Sequence, residues 1–151
     1  MSRGLLTIPI HPAPAPASAD SARALLHQLA DLLASLAAGG EGGLIDLRGL
    51  PLTPDDFALL RETLGEGEVR AEIDSFGTST VRETGIAGIW WQTHRNAEGE
   101  TVTEMLEVAQ IPALLCSQPE DIAWAARQFH ARLAQPASGP SGVPLADGGS
   151  T

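Results

Sequence analysis

Between residues 68 and 109 four stretches alternate apolar with polar side chains, and a short turn signal separates each from the next. A period of two fits a pleated strand with one dry face, and turns this short leave no room for the crossover that parallel strands need. "EVRAEID" sets Val69, Ala71 and Ile73 against Glu68, Arg70, Glu72 and Asp74, and "STVRET" follows across "SFGT". "IAGIWWQTH" and "ETVTEMLEVA" flank the turn "RNAEG", with Val102, Leu106 and Val108 on one face. The expected product is a four-stranded antiparallel meander. In its first hairpin, a turn centred on Phe76 and Gly77 sets Arg70 opposite Glu83, whereas a slip of one residue sets it opposite Arg82. Cross-strand charge favours the first register.

Helical patterns lie on either side of these strands. Leu25, Leu26, Leu29, Leu32, Leu33 and Leu36 recur at helical spacing, with Ser18 or Asp20 as cap and Gly39 and Gly40 as the stop. "GGLIDLRGLPL" reads as a short strand, and "TPDDFALLRETLG" as a helix capped by Thr53, opened by Pro54 and ended by Gly65. A last helix takes Ser117 as cap with Glu120 three residues on, and carries Ile122, Ala125, Ala126, Phe129 and Leu133 as a narrow apolar stripe. The order predicts an α+β fold: an antiparallel sheet of four meander strands plus one short N-terminal strand, with three helices packed mainly on one face. Residues 18–135 are expected to form a single domain. The Pro/Ala-rich stretch 1–17 reads as a flexible arm, and 136–151 as a tail too poor in apolar residues to order.

Composition removes several classes of function. Nine basic residues face 19 acidic ones, a net charge of −10, which argues against nucleic acid and anionic lipid as partners. No apolar run reaches the roughly 20 residues of a membrane span, and prolines interrupt the N-terminal apolar patch before a secretory segment forms, so a cytoplasmic location is expected. All the basic residues are arginines, which excludes a phosphate-loop lysine or a Schiff-base lysine, and tyrosine is absent. A single cysteine, Cys116, allows no disulfide within the chain and no multi-thiolate metal site. His11, His27, His94 and His130 lack metal-ligand spacing. No metal, no cofactor and no catalytic set are therefore expected.

Three residue types stand out against this background. Cys116 precedes a helix start, where it is either a reactive thiol or, as is commoner for a lone cysteine, a small buried hydrophobe. Glu104 falls on the apolar face with Val102, Leu106 and Val108, where a place at the sheet edge or a contact with an arginine is favoured over a functional carboxylate, since a buried unpaired charge is costly. Trp90 and Trp91 point to opposite faces: Trp91 joins Ala87 and Ile89 as the core candidate, while Trp90 shares a face with Gln92 and His94 that turns polar along its length. Trp124 falls about 160° from the apolar stripe of its helix. Trp90 and Trp124 are thus expected to be exposed, and exposed indoles point to association.

Three blocks, "LGEGEV" at 64–69, "RET" and "GIW" between Arg82 and Trp90, and "LEVAQIP" at 106–112, occur in an order and spacing that resemble the hydrogenase expression family. That family comprises the C-terminal domain of HupH/HyaF-type proteins and their shorter HupJ/HoxT-type relatives. The resemblance covers about residues 20 to 135, and the chain is most similar to the short HupJ/HoxT type. It implies a non-catalytic, chaperone-like accessory factor for an uptake [NiFe] hydrogenase, with the iron–sulfur small subunit precursor or another maturation protein as partner. Trp90, Gln92, His94, Trp124 and Glu83 are the expected partner-binding residues, and the Trp90 face would also serve a homodimer. The alternative is a small redox-active or enzymatic maturation factor using Cys116, with His94 or His130 as its helper.

Overall fold

The computed structural model describes residues 18–137, so the expectations for the arm and for most of the tail lie outside the described residues. These residues fall into two units, one ending at Ala113 and the other beginning at Leu114. The first holds α1 (Ser18–Ala37), β1 (Gly43–Asp46), α2 (Pro54–Leu64), β2 (Arg70–Asp74), β3 (Thr78–Glu83), β4 (Ile89–Arg95) and β5 (Thr101–Val108). The second holds α3 (Pro119–Ala134). Among the described residues no helix is long and apolar enough to cross a membrane.

All five strands form one antiparallel sheet in the order β1-β5-β4-β3-β2, so β2 to β5 are a meander and β1 pairs with its last strand. Residues directly opposite share a face. One face therefore carries Ile45, Leu106, Val108, Ile89 and Trp91, which join Leu47 in a buried cluster with Ala22, Leu25 and Leu29 of α1 and Leu60 and Leu64 of α2. Packing of α1 on α2 and β5 holds both helices over that face.

Local chemistry explains the helix ends. At α2, Thr53 Oγ1 accepts the Asp56 N–H at 3.2 Å while Asp56 Oδ2 accepts the Thr53 N–H at 2.8 Å, a capping box that satisfies two orphan donors reciprocally. Asp56 is buried, and its Oδ1 also accepts the Ala22 N–H of α1 at 3.2 Å. Donation from the Thr53 N–H holds its pKa below the ordinary carboxylate value; burial pushes the other way, and the Thr53 hydroxyl and Ala22 N–H add to the lowering. α1 closes with Gly40 N–H bonded to Ser35 O at 2.9 Å and Gly39 N–H to Leu36 O at 3.1 Å, the two bonds of a Schellman end. α3 begins at Pro119 with Gln118 as its cap and no side-chain cap bond, which corrects the expectation of Ser117. Proline needs no N–H partner and is preset for the first helical position, so it fixes the start.

Three strand expectations are also corrected. In the first hairpin Asp74 faces Thr78 and Arg70 faces Arg82, not Glu83. Ser75, Phe76 and Gly77 make a three-residue loop in which Phe76 has φ 50° and Gly77 φ 125°; a Cβ on Gly77 would lie 2.1 Å from Arg95 O. Loop geometry that only glycine tolerates outweighs one favourable charge pair. Strand β4 starts at Ile89 and not at Ile86, because residues 85–88 turn around the buried Thr84 hydroxyl, which donates toward Ile89 O at 2.9 Å and accepts the Ile86 N–H at 3.2 Å. Val102 does not join Leu106 and Val108: a bulge at His94/Arg95 skips it in the register, and it is 49% exposed.

Candidate functional site

Cross-strand register puts the four strand residues expected to bind a partner on one face. Glu83 lies opposite Trp90, and Gln92 and His94 follow at alternate positions of β4. Trp124 belongs to α3 in the second unit and is 59% exposed. The expectation of an open Trp90 is wrong: the residue is only 6% exposed and its Nε1 donates to Ala109 O at 3.0 Å. After Val108 the chain crosses this face, with the Ala113 N–H held by Glu107 Oε1 at 3.1 Å and Pro112 buried. Glu107 is the register partner of Trp90, so the crossing segment closes over the indole. An indole N–H that finds a backbone acceptor can be buried without penalty.

Along β4 that face turns polar beyond Trp90, while Leu44, opposite Glu107 on β1, leaves an exposed apolar side chain on it. Gln92 Nε2 donates to the Glu107 carboxylate, and His94 Nδ1 shares a hydrogen bond with Ser79 Oγ at 2.8 Å. Glu83 is half-buried. Cys116, for which burial was the commoner expectation, is exposed. The stripe of α3 fares similarly, with Ile122, Phe129 and Leu133 all exposed.

The helix-bearing face has a different second half. Beyond Trp91 it is polar: Arg70, Glu72, Thr78, Thr80, Arg82, Trp91, Thr93 and Arg95, with Asn96, Ala97 and Gly99 of the β4–β5 turn, line a concavity of about 500 Å³. Arg70 is paired with Glu72 at 2.6 Å and Arg82 with Glu66, which relieves the like-charge opposition that the register creates. Asp74 accepts from Thr78 Oγ1 at 3.3 Å.

Trp91 stands at the seam between the two halves. It is 3% exposed, and its Nε1 donates to Glu104 Oε1 at 2.9 Å, the same oxygen that Arg61 reaches at 3.3 Å. The Arg61 guanidinium lies 5.3 Å from the Trp91 ring centre and 5.6 Å from that of Phe57, and Arg82 lies 5.9 Å from Trp91 on the concavity side. Glu104 thus meets an arginine, one of its two expected fates, and it serves the fold. Among the described residues no group of three His, Cys, Asp or Glu side chains could hold a metal ion.

Sequence reasoning missed the arginine concavity. Its signal was present: Trp91, Thr93 and Arg95 alternate on one face of β4, and Thr78, Thr80 and Arg82 do so on β3. Choosing the other hairpin register moved Arg70 away from Arg82 and hid the cluster.

Residues 19–135 match the family model described as the HupH hydrogenase expression protein, C-terminal conserved region. The hydrogenase expression/formation protein HupH of Rhizobium leguminosarum bv. viciae is 32% identical over 120 residues, covering 80% of this chain and 41% of that protein. HoxQ of Azotobacter vinelandii, another hydrogenase expression/formation protein, is 37% identical over 94 residues, 62% of this chain and 32% of its own length. The chain therefore spans about a third to two-fifths of these relatives. Among solved structures, hydrogenase expression protein HupH from Thiobacillus denitrificans ATCC 25259 superposes with a TM-score of 0.71 at 43% identity, over 76% of this chain and 95% of that one.

Proposed function

Because this chain belongs to the family of the HupH hydrogenase expression protein C-terminal region, we propose that it is a non-catalytic accessory protein in the maturation of an uptake [NiFe] hydrogenase. It acts in the cytoplasm by holding the iron–sulfur small subunit precursor, or a further maturation factor, until assembly. The observation that carries this reading is the match itself, which spans the helices and the whole sheet and extends over nearly all of a solved HupH chain. The chemistry of the sheet supports binding over bond-making: Glu104, Arg61 and Trp91, the charged and polar groups at the edge of the core, are engaged with one another. In this reading Gln92, His94 and Glu83 form a polar contact face that the buried Trp90 supports from below, and Trp124 offers an indole on α3.

Deleting the gene should lower hydrogen-uptake activity and let the unprocessed small subunit accumulate, and the full chain supplied in trans should restore both. Purified full chain should also retain the small subunit precursor at moderate salt. Normal uptake and normal processing in the deletion strain would sink the reading. The exposure of Cys116 keeps a redox role as the second reading. If that role is correct, Cys116→Ser should abolish maturation; wild-type uptake with the serine variant removes it.

A further inference from the structure

We propose that the concavity on the open half of the helix-bearing sheet face binds an extended acidic peptide segment, with Arg70 and Arg82 gripping one carboxylate and Arg95 another. Acidic residues outnumber basic ones 19 to 9 in the chain, yet the charged lining of this concavity is three arginines and one glutamate, Glu72. A third of all the arginines line the concavity together with one acid, while Glu66, bound to Arg82, and Asp74, bound to Thr78, adjoin it. Charges further away are screened over about 10 Å, so an incoming carboxylate competes with these neighbours and not with the acidity of the whole chain.

The arginines already display the chemistry. Arg82, with a side chain 25% exposed, holds the Glu66 carboxylate from a residue whose own side chain is 74% exposed, and Arg70 holds Glu72, also well exposed. Such exposed pairs are worth little and exchange readily, so an incoming carboxylate can take the place of either one. Arg95 makes no ion pair among the described residues and is exposed. Between the two ends Thr78, Thr80 and Thr93 present hydroxyls, with Thr80 directly opposite Thr93.

Spacing selects the ligand. Arg82 faces Trp91, and Arg95 lies four residues further along β4, so the two arginine backbones are about 14 Å apart at roughly 3.3 Å per residue and 4.8 Å per strand. An extended peptide with acids four residues apart matches that backbone spacing, and a compact tricarboxylate such as citrate is the competing ligand that the titration below must exclude. A long polyanion is disfavoured, since Glu66, Asp74, Glu98 and Glu100 are exposed around the rim. Nothing in this site depends on the hydrogenase assignment.

The test is calorimetric titration of the full chain with an eight-residue peptide carrying glutamates at its second and sixth positions. Its glutamine counterpart, citrate, inorganic phosphate and a short single-stranded DNA serve as competing probes. Saturable binding of the glutamate peptide, weakened by added salt, is expected. Arg95→Ala should lower affinity about tenfold, the size of one charge-assisted hydrogen-bonded pair, while Arg48→Ala, an exposed arginine outside the concavity, should leave it within twofold. Arg70→Ala, on the edge strand, should weaken binding similarly and, like Arg95→Ala, should keep the melting temperature of the parent. The proposal is overturned by any of four results: no binding of the glutamate peptide at millimolar concentration, equal binding of the glutamine peptide, indifference to Arg95→Ala, or tighter Arg95-dependent binding of citrate, phosphate or DNA.

Discussion

One face of one sheet carries two unlike surfaces. Over β1, β5 and the first half of β4 it is apolar and roofed by α1 and α2, with Leu47, Leu60 and Leu106 fully buried. Over β2, β3 and the second half of β4 the same alternation continues, but the positions on this face are Arg70, Thr80, Arg82, Thr93 and Arg95, and neither α1 nor α2 contributes a residue to the concavity they line. The transition happens along a single strand, from Ile89 and Trp91 to Thr93 and Arg95. Side-chain period decides which face a residue joins; it does not decide how far a roof extends. Trp91 ends the roofed half by burying its ring while passing its N–H to Glu104 and its flanks to Arg61 and Arg82. The roofed half carries the apolar core, whereas the other half carries paired and exposed arginines.

That division can be broken most forcefully inside the roofed half. Leu106→Ala should cost about 2–5 kcal/mol in urea unfolding, because a fully buried leucine under α1 and α2 leaves a cavity; a loss below about 1 kcal/mol would mean the roof is loose. Next in size, Thr84→Val should lose about 1–3 kcal/mol, since its hydroxyl serves Ile89 O and the Ile86 N–H where water cannot replace it. The roof should also show its own acid limb. With the folded-state pKa of Asp56 lowered, its contribution to stability is fully present above the unfolded value near 4 and is lost as pH falls through the lower folded value. Replacement by asparagine should flatten that limb in a series of melts between about pH 5 and 2. Smallest of all, Thr80→Val on the open half should move stability by no more than about 0.5 kcal/mol, and a larger loss would show that the open half is part of the core.

Much of this architecture was legible in the chain. The element order, the meander, the leucine-rich α1, the capped α2 and the core place of Trp91 all follow from period, cap and turn residues. The hairpin register did not, because a favoured Arg70–Glu83 pairing is a weak surface term and the left-handed Phe76–Gly77 loop is a strong backbone one. Trp90 was misjudged for a related reason: alternation sent it to the correct face, but the crossing of residues 109–113 over that face is a tertiary event with no periodic signature. The concavity was legible only in part: Arg82 and Arg95 share a face by alternation alone, whereas Arg70 joins them only in the observed hairpin register.

The division of the sheet is tested most directly by titrating the two-glutamate peptide into the full chain carrying Arg70→Ala and Arg95→Ala. The account predicts the melting temperature of the parent together with loss of measurable peptide binding. Parent-like affinity in that folded variant would contradict it.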